Sequence, residues 1–222
     1  MSLFRRVTHY HGGGLRGGMP DYGIARLSAP HNFVAPSYID LKPYCLPTSD
    51  QGNEPACAGY AVAGFCEVLA WKHNHVQRQY NGLEIYRVAK TLDGEPDQDG
   101  TMLEAALRAA QQIGYLPADA KFRYINNRRD IKYALHEGGV VVSGFNITSG
   151  WNRCDRRTGM IGGGGHAMGG HAVLSCWYQE AKGRIAENHG WQNSWIPWGC
   201  NGFGRMTAEQ FDRQFMYGMT MV

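Results

Sequence analysis

From Ala58 the chain stops being irregular and becomes periodic. Val62, Phe65, Cys66, Leu69 and Trp71 recur at helical spacing, which gathers them on one face. Ala58, Gly59, Ala61, Ala63 and Gly64 are small and admit close neighbours, and the glycines weaken intrinsic helicity. This helix is therefore expected to rely on being packed inside the protein. Glu67 sits on the same apolar stretch and must be exposed or well paired. Residues 83–90 read as a second helix. After an acidic turn over 92–99, Met102, Leu103, Ala106, Leu107 and Ala110 mark a third, with Thr101 as its side-chain cap and Gly114 at its C-terminus.

The second half has a different rhythm. Residues 130–137 read as a short helix closed by Gly138 and Gly139, and residues 140–147 as an apolar strand. Residues 149–170 form a glycine-rich connection, so His171 is expected at the very start of the next strand, 172–178. Further strands are expected at 184–188 and 204–206, followed by a capped helical turn opening at Thr207. A brief extended stretch lies near Tyr38, and 42–55 is a proline-containing loop. Helices first and strands later predict an α+β fold whose two parts pack against each other.

Composition narrows the classes. Apolar residues make up 43% and charged residues 18% of 222 positions, which suits a globular protein with a sizeable core. A net charge of +3 without a basic stripe argues against nucleic acid, and no apolar stretch is long enough to span a membrane. The first residues carry no cleavable signal pattern. The expected location is cytoplasmic, or outside the cell by a route that cleaves no signal. The six cysteines are sparse and read as reduced thiols. Residues 1–35 read as an irregular arm, and its His9 and His11 read as ordinary composition, not a metal site. Cys154, His166, His171, Cys176 and Cys200 include no compact zinc-binding unit, so neither metal nor cofactor is expected.

One stretch carries candidate chemistry. In Gln51-Gly-Asn-Glu-Pro-Ala-Cys57 a turn delivers a cysteine to the first turn of a helix. The positive end of a helix dipole can lower a thiol pKa and favour thiolate, the nucleophilic form. Gln51 is close enough in sequence to fold back beside the sulfur as an oxyanion donor. His171 could serve as base, and Asn193, on an aromatic-rich turn, could accept from one imidazole nitrogen and leave the other to face sulfur. Taken singly, a cysteine or histidine is more often structural.

Together these residues resemble the papain-like cysteine peptidases. Gln51 and Cys57 resemble that family's oxyanion-hole glutamine and nucleophile, Glu67 its buried helix glutamate, and Gly170-His171-Ala172-Val173 its histidine motif. Asn193-Ser194-Trp195, Trp198-Gly199 and Asn201-Gly202-Phe203 resemble its asparagine motif and the turn after it. The resemblance implies a helical left domain and a β-barrel-like right domain with a cleft between them. It implies an N-terminal arm over 1–35 and a catalytic domain over 36–222, with the left part at about 45–115 and the right part at about 116–222 plus 36–44. It also implies that Asn193 orients His171, that Trp195 shields their bond, and that the Cys57 N–H is the second oxyanion donor. Gly100 resembles the glycine that binds substrate backbone, and Thr101, Met102, Gly170, Ala172 and Trp195 are the other expected substrate contacts; Trp177 is a further apolar candidate near the cleft.

The chain departs from that family in carrying Ala58-Gly59-Tyr60 where papain has tryptophan after the cysteine, and Glu54 where a disulfide cysteine is usual. The first 35 residues are too short for the usual helical propeptide, so either control is exerted otherwise or the arm itself occupies the cleft. The implied activity is hydrolysis of peptide or amide bonds in a peptide or protein substrate. A glutamine deamidase or acyltransferase with the same triad, or an inactive interaction module on the same fold, are the alternatives.

Overall fold

The apolar stretch after Pro55 forms helix α1 (Cys57–Asn74), the longest helix of the computed structural model, which describes residues 14–17 and 23–222. His9 and His11 lie outside the described residues. The spacing predicts one buried face, but α1 is buried on nearly every side through Ala70, with Tyr60 half-exposed. Its small residues explain how this is possible. A Cβ on Gly59 would collide with the Gly82 carbonyl, and one on Gly64 would press Leu174 at 3.2 Å. Helix α2 (Gly82–Leu92) and the sheet therefore both approach the α1 backbone closely.

Helix α2 is capped by Asn81, whose side chain accepts from the N–H groups of Leu83 and Glu84. Helix α3 (Leu103–Gln112) begins after Met102, which offers no side-chain cap. Thr101 is not the cap either: its hydroxyl donates to Asp93 Oδ2 at 2.9 Å, because the acidic turn folds back beneath it. Gly114 follows α3 with φ +77°, the left-handed conformation that glycine adopts without cost. Helix α4 (Arg128–His136), capped by Asn127, and helix α5 (Ala208–Gln214), opened by a capping box of Thr207 and Gln210, pack on the sheet.

The strands are β1 (Tyr38–Asp40), β2 (Phe122–Ile125), β3 (Val141–Thr148), β4 (Ala167–Gln179), β5 (Asn188–Gln192), β6 (Phe203–Thr207) and β7 (Phe215–Met221). They form one antiparallel sheet in the order β2-β7-β3-β4-β5-β6, with β1 on the far end of β4. The sheet is open, and isolated bridges from Arg26 to Tyr124 and from Met160 to Arg205 cover its edges. Helices α1 and α3 pack against β3, which brings the helical and sheet parts together.

Several strand expectations need correction. β5 covers 188–192 and not 184–188, since Trp191 packs into an aromatic core with Phe145 and Trp151 and draws the strand inward. β2 and β7 are absent from the sequence reading, yet β7 lies inside the sheet between β2 and β3. His171 does not open a strand. It lies within the 13-residue β4, because residues 167–170 already pair with β3. All six cysteines are free thiols, and no described helix is long and apolar enough to cross a membrane.

Candidate active site

Two chain segments converge where α1 meets β4. Cys57 is the first residue of α1, and Ala56 before it supplies no side-chain cap. Ala172 donates its backbone N–H to Cys57 Sγ at 3.4 Å. The residue beside His171 in the chain is therefore in contact with the sulfur, although 115 positions separate the two in sequence.

His171 Nε2 lies 2.7 Å from Asn193 Oδ1. The same oxygen accepts the N–H of Ser194 at 2.8 Å, which identifies it as the amide oxygen. An amide oxygen only accepts, so His171 Nε2 carries the proton and Nδ1 is the nitrogen with a free lone pair. Trp195 stacks on the imidazole with centroids 4.3 Å apart, and Trp151 meets it edge-on at 5.8 Å. Trp198 holds Trp151 in turn, donating its indole N–H to the Trp151 carbonyl at 2.7 Å.

Gln51 is tied to the same turn as Asn193. Its N–H donates to the Ser194 carbonyl at 2.9 Å, and Ser194 Oγ donates to Gln51 Oε1 at 2.6 Å. Gln51 Nε2 gives one proton to the Glu54 carbonyl at 2.8 Å and retains a second N–H. Ser194 thus joins Gln51 to Asn193. The sequence reading names Ser194 only within the asparagine motif and gives it no role, because a serine beside an asparagine has no signature of its own.

The helix-start position predicts a thiolate, and burial reverses that expectation. Loss of water pushes the Cys57 thiol up to about 12, against a smaller pull downward from the N–H groups of Ala172, Ala58 and Cys57 itself. The same burial pushes His171 down to about 4, opposed by its bond to Asn193. Cysteine and histidine are therefore both neutral near pH 7 in this state. Glu67 is pushed up to about 7 by burial, eased by the Tyr80 N–H at 3.2 Å.

What removes the water includes the chain's own segment 14–17. A Cβ on Gly14 would stand 2.9 Å from Cys57 Sγ. Leu15, buried, donates its N–H to the Gly170 carbonyl at 3.2 Å, and a Cβ on Gly170 would collide with the Leu15 backbone. Thr101 donates its N–H to the Gly14 carbonyl at 3.2 Å and accepts from the Arg16 N–H at 3.1 Å, as in a parallel strand pair. The backbone contact made through both groups is therefore at Thr101. Gly100 donates its N–H to the Tyr86 hydroxyl at 3.2 Å and offers its carbonyl to the Arg16 and Lys90 side chains. Met102 is half-buried just before α3, Ala172 touches the sulfur, and Trp195 covers the imidazole. Trp177 is not at the cleft. It lies six residues along β4 from His171, about 20 Å at ~3.3 Å per residue, and Lys42 stands over its ring at 4.7 Å. Among the described residues, no three His, Cys, Asp or Glu side chains are grouped as metal ligands.

No model of a protein family matches the sequence, and comparison with curated proteins finds no match. Solved structures do match. Xylellain, a cysteine protease from Xylella fastidiosa, aligns with a TM-score of 0.76 at 19% identity, over 100% of this chain and 98% of that one. This chain has the papain-like fold. Procathepsin B from Trypanosoma congolense aligns at 0.69 with 15% identity, over 92% of this chain and 85% of that one. Procathepsin L 3 of the Tenebrio molitor larval midgut aligns at 0.67 with 12% identity, over 96% and 75% respectively. In this papain-like fold, the Cys57 contact joins a helix of the helical part to a strand of the sheet part.

Proposed function

We propose that this protein hydrolyses peptide or amide bonds through a Cys57 thiol, with His171 as its base and Asn193 as the residue that orients the base. The observation that carries this reading is the 2.7 Å contact of His171 Nε2 with Asn193 Oδ1, beside a sulfur bonded to the next residue's N–H. In the first step the Cys57 S–H proton passes to His171 Nδ1 and the sulfur attacks the carbonyl carbon. The second N–H of Gln51 Nε2 and the Cys57 N–H receive the developing oxyanion. His171 returns the proton to the leaving amine, and then takes one from the water that releases the acyl group. The fold shared with cysteine proteases such as xylellain supports this reading.

The segment 14–17 is the resting occupant of the cleft in this proposal. With Gly14 against the sulfur, no substrate carbonyl can reach it. Displacing the segment readmits water, lowers the thiol pKa and raises that of the imidazole.

The test is a thiol-reactive probe with a peptide backbone, applied to the full chain. Labelling is expected in wild type at the slow rate set by displacement of segment 14–17, absent in Cys57→Ala, and strongly weakened further in His171→Ala. Equal labelling of several cysteines overturns the assignment. A gain of about 1 Da on an intact glutamine-bearing partner, without chain cleavage, would instead identify a deamidase.

A further inference from the structure

The turn after α2 holds a cation in a built seat. Arg16 Nη2 donates to Asp93 Oδ2 at 2.6 Å, to the Gly100 carbonyl at 3.0 Å and to the Glu95 carbonyl at 3.3 Å. Its Nε donates to the Gly100 carbonyl at 3.2 Å, and its Nη1 pairs with the Glu95 carboxylate. The Asp93 side chain is 0% exposed, so its charge is committed inside the protein. Lys90 already gives its ammonium to Asp93 Oδ2 at 2.9 Å, to the Glu95 carbonyl at 2.6 Å and to the Gly100 carbonyl at 3.1 Å, which uses all three of its protons. Two carboxylates thus face two cations, and only one of the cations belongs to the body of the fold. When segment 14–17 leaves, Asp93 and Glu95 keep Lys90 alone and the seat carries one uncompensated negative charge. Asp97 and Asp99 on the same turn add to that sign.

The position of the seat relates it to the proposed chemistry. Gly14 faces the sulfur, Leu15 is buried next to it, and Arg16 is the second residue along the Thr101 wall. A peptide backbone lying on Thr101 would place its own side chain there at the same remove from the reacting carbon. The planar fork of a guanidinium suits a carbonyl flanked by two carboxylates, whereas the ammonium position is filled by Lys90.

We propose that Asp93 and Glu95 form a specificity subsite that selects peptides with arginine two residues before the one whose carbonyl is attacked. This rests on the thiol-acylation reading above. Arg16 is the intramolecular stand-in for that side chain, presented with the chain running the other way.

The test uses full-length Arg16→Gln protein, in which the internal competitor is neutral. Three probes carry Arg-Leu-Gly, norleucine-Leu-Gly or Glu-Leu-Gly, each ending in the same thiol-reactive ketone, and labelling of Cys57 is followed by mass spectrometry. The arginine probe is expected to react about fivefold or more faster than the norleucine probe, and the glutamate probe more slowly than either. Adding Glu95→Gln, at a side chain 50% exposed and tolerant of exchange, should narrow that preference several-fold. Glu95→Lys should place the glutamate probe ahead of the arginine probe. Iodoacetamide reports whether Cys57 is reachable at all. Equal rates for the three peptide probes, with Cys57 alkylated normally, overturn the subsite and leave the thiol chemistry standing. Cys57 reacting with iodoacetamide but with none of the peptide probes overturns the peptide-acylation reading and the subsite with it.

Discussion

Leu15 gives its backbone N–H to the carbonyl of Gly170, the residue immediately before His171, at 3.2 Å. A segment near the start of the chain is thereby bonded to the strand that carries the candidate base. Leu15 also fits over Gly144, where a Cβ would strike its side chain. Two glycines on adjacent strands make room for one leucine, and that leucine helps keep the sulfur dry.

Replacing this anchor should expose the thiol. Leu15→Asp forfeits burial worth about 1.5–3 kcal/mol and sets a charge in an apolar seat. Gly170→Ala should act similarly from the other side, by pushing the segment off the strand. Alkylation of Cys57 by iodoacetamide at pH 7 is expected to quicken about tenfold or more in both. An unchanged rate in both variants would show that the segment does not control access.

Asn193→Ala should disarm the histidine. It removes the hydrogen-bond partner of a buried imidazole N–H, a loss that costs about 1–3 kcal/mol. Peptide turnover is expected to fall about 100-fold through loss of a positioned base. Thermal unfolding measured beside kcat separates the two effects. Full activity at reduced stability would limit Asn193 to a structural role.

Stability should respond to pH through buried groups of opposed sign, Glu67 against His171. Glu67 rises from 4.5 to about 7 on folding, so the folded state holds the extra proton between those values, and its contribution is lost as pH rises through that window. His171 falls from 6.5 to about 4, so the unfolded state holds the extra proton, and its contribution is lost as pH falls from 6.5 toward 4. Each is worth on the order of 3 kcal/mol, and between pH 4.5 and 6.5 they oppose one another, with His189, also lowered by burial, acting in the same sense as His171. Glu67→Gln should unmask a rise in stability with pH over that interval, measured by urea unfolding. A flat profile in that variant would contradict the placement of His171 in a dry site.

Trp195→Ala should let water onto the imidazole. The His171 pKa is expected to move up from about 4 toward its ordinary value, followed by NMR titration of the ring protons. The lost aromatic packing should cost about 3–5 kcal/mol. An unmoved titration would mean that Trp151 suffices as the cover.

What can be read without coordinates here is whatever neighbours in sequence decide together. The spacing of Val62, Phe65, Cys66 and Leu69 specifies α1, and Thr207 with Gln210 specifies the start of α5, because a helix bonds within its own segment. The order of Gln51, Cys57, His171 and Asn193, and the α+β character, are legible on the same terms. Strands depend on partners far along the chain. β7, with Gly218 and three methionines, has weak strand character of its own and gains its place from β2 and β3 on either side. Asp93 likewise reads as one acid in an acidic turn until Arg16, Lys90 and Thr101 gather around it. The protonation of Cys57 is the sharpest case. Its local position at a helix start favours thiolate, but pKa follows the water and charge within a few ångströms. Only the meeting of α1, β4 and segment 14–17 determines that this sulfur is buried and neutral.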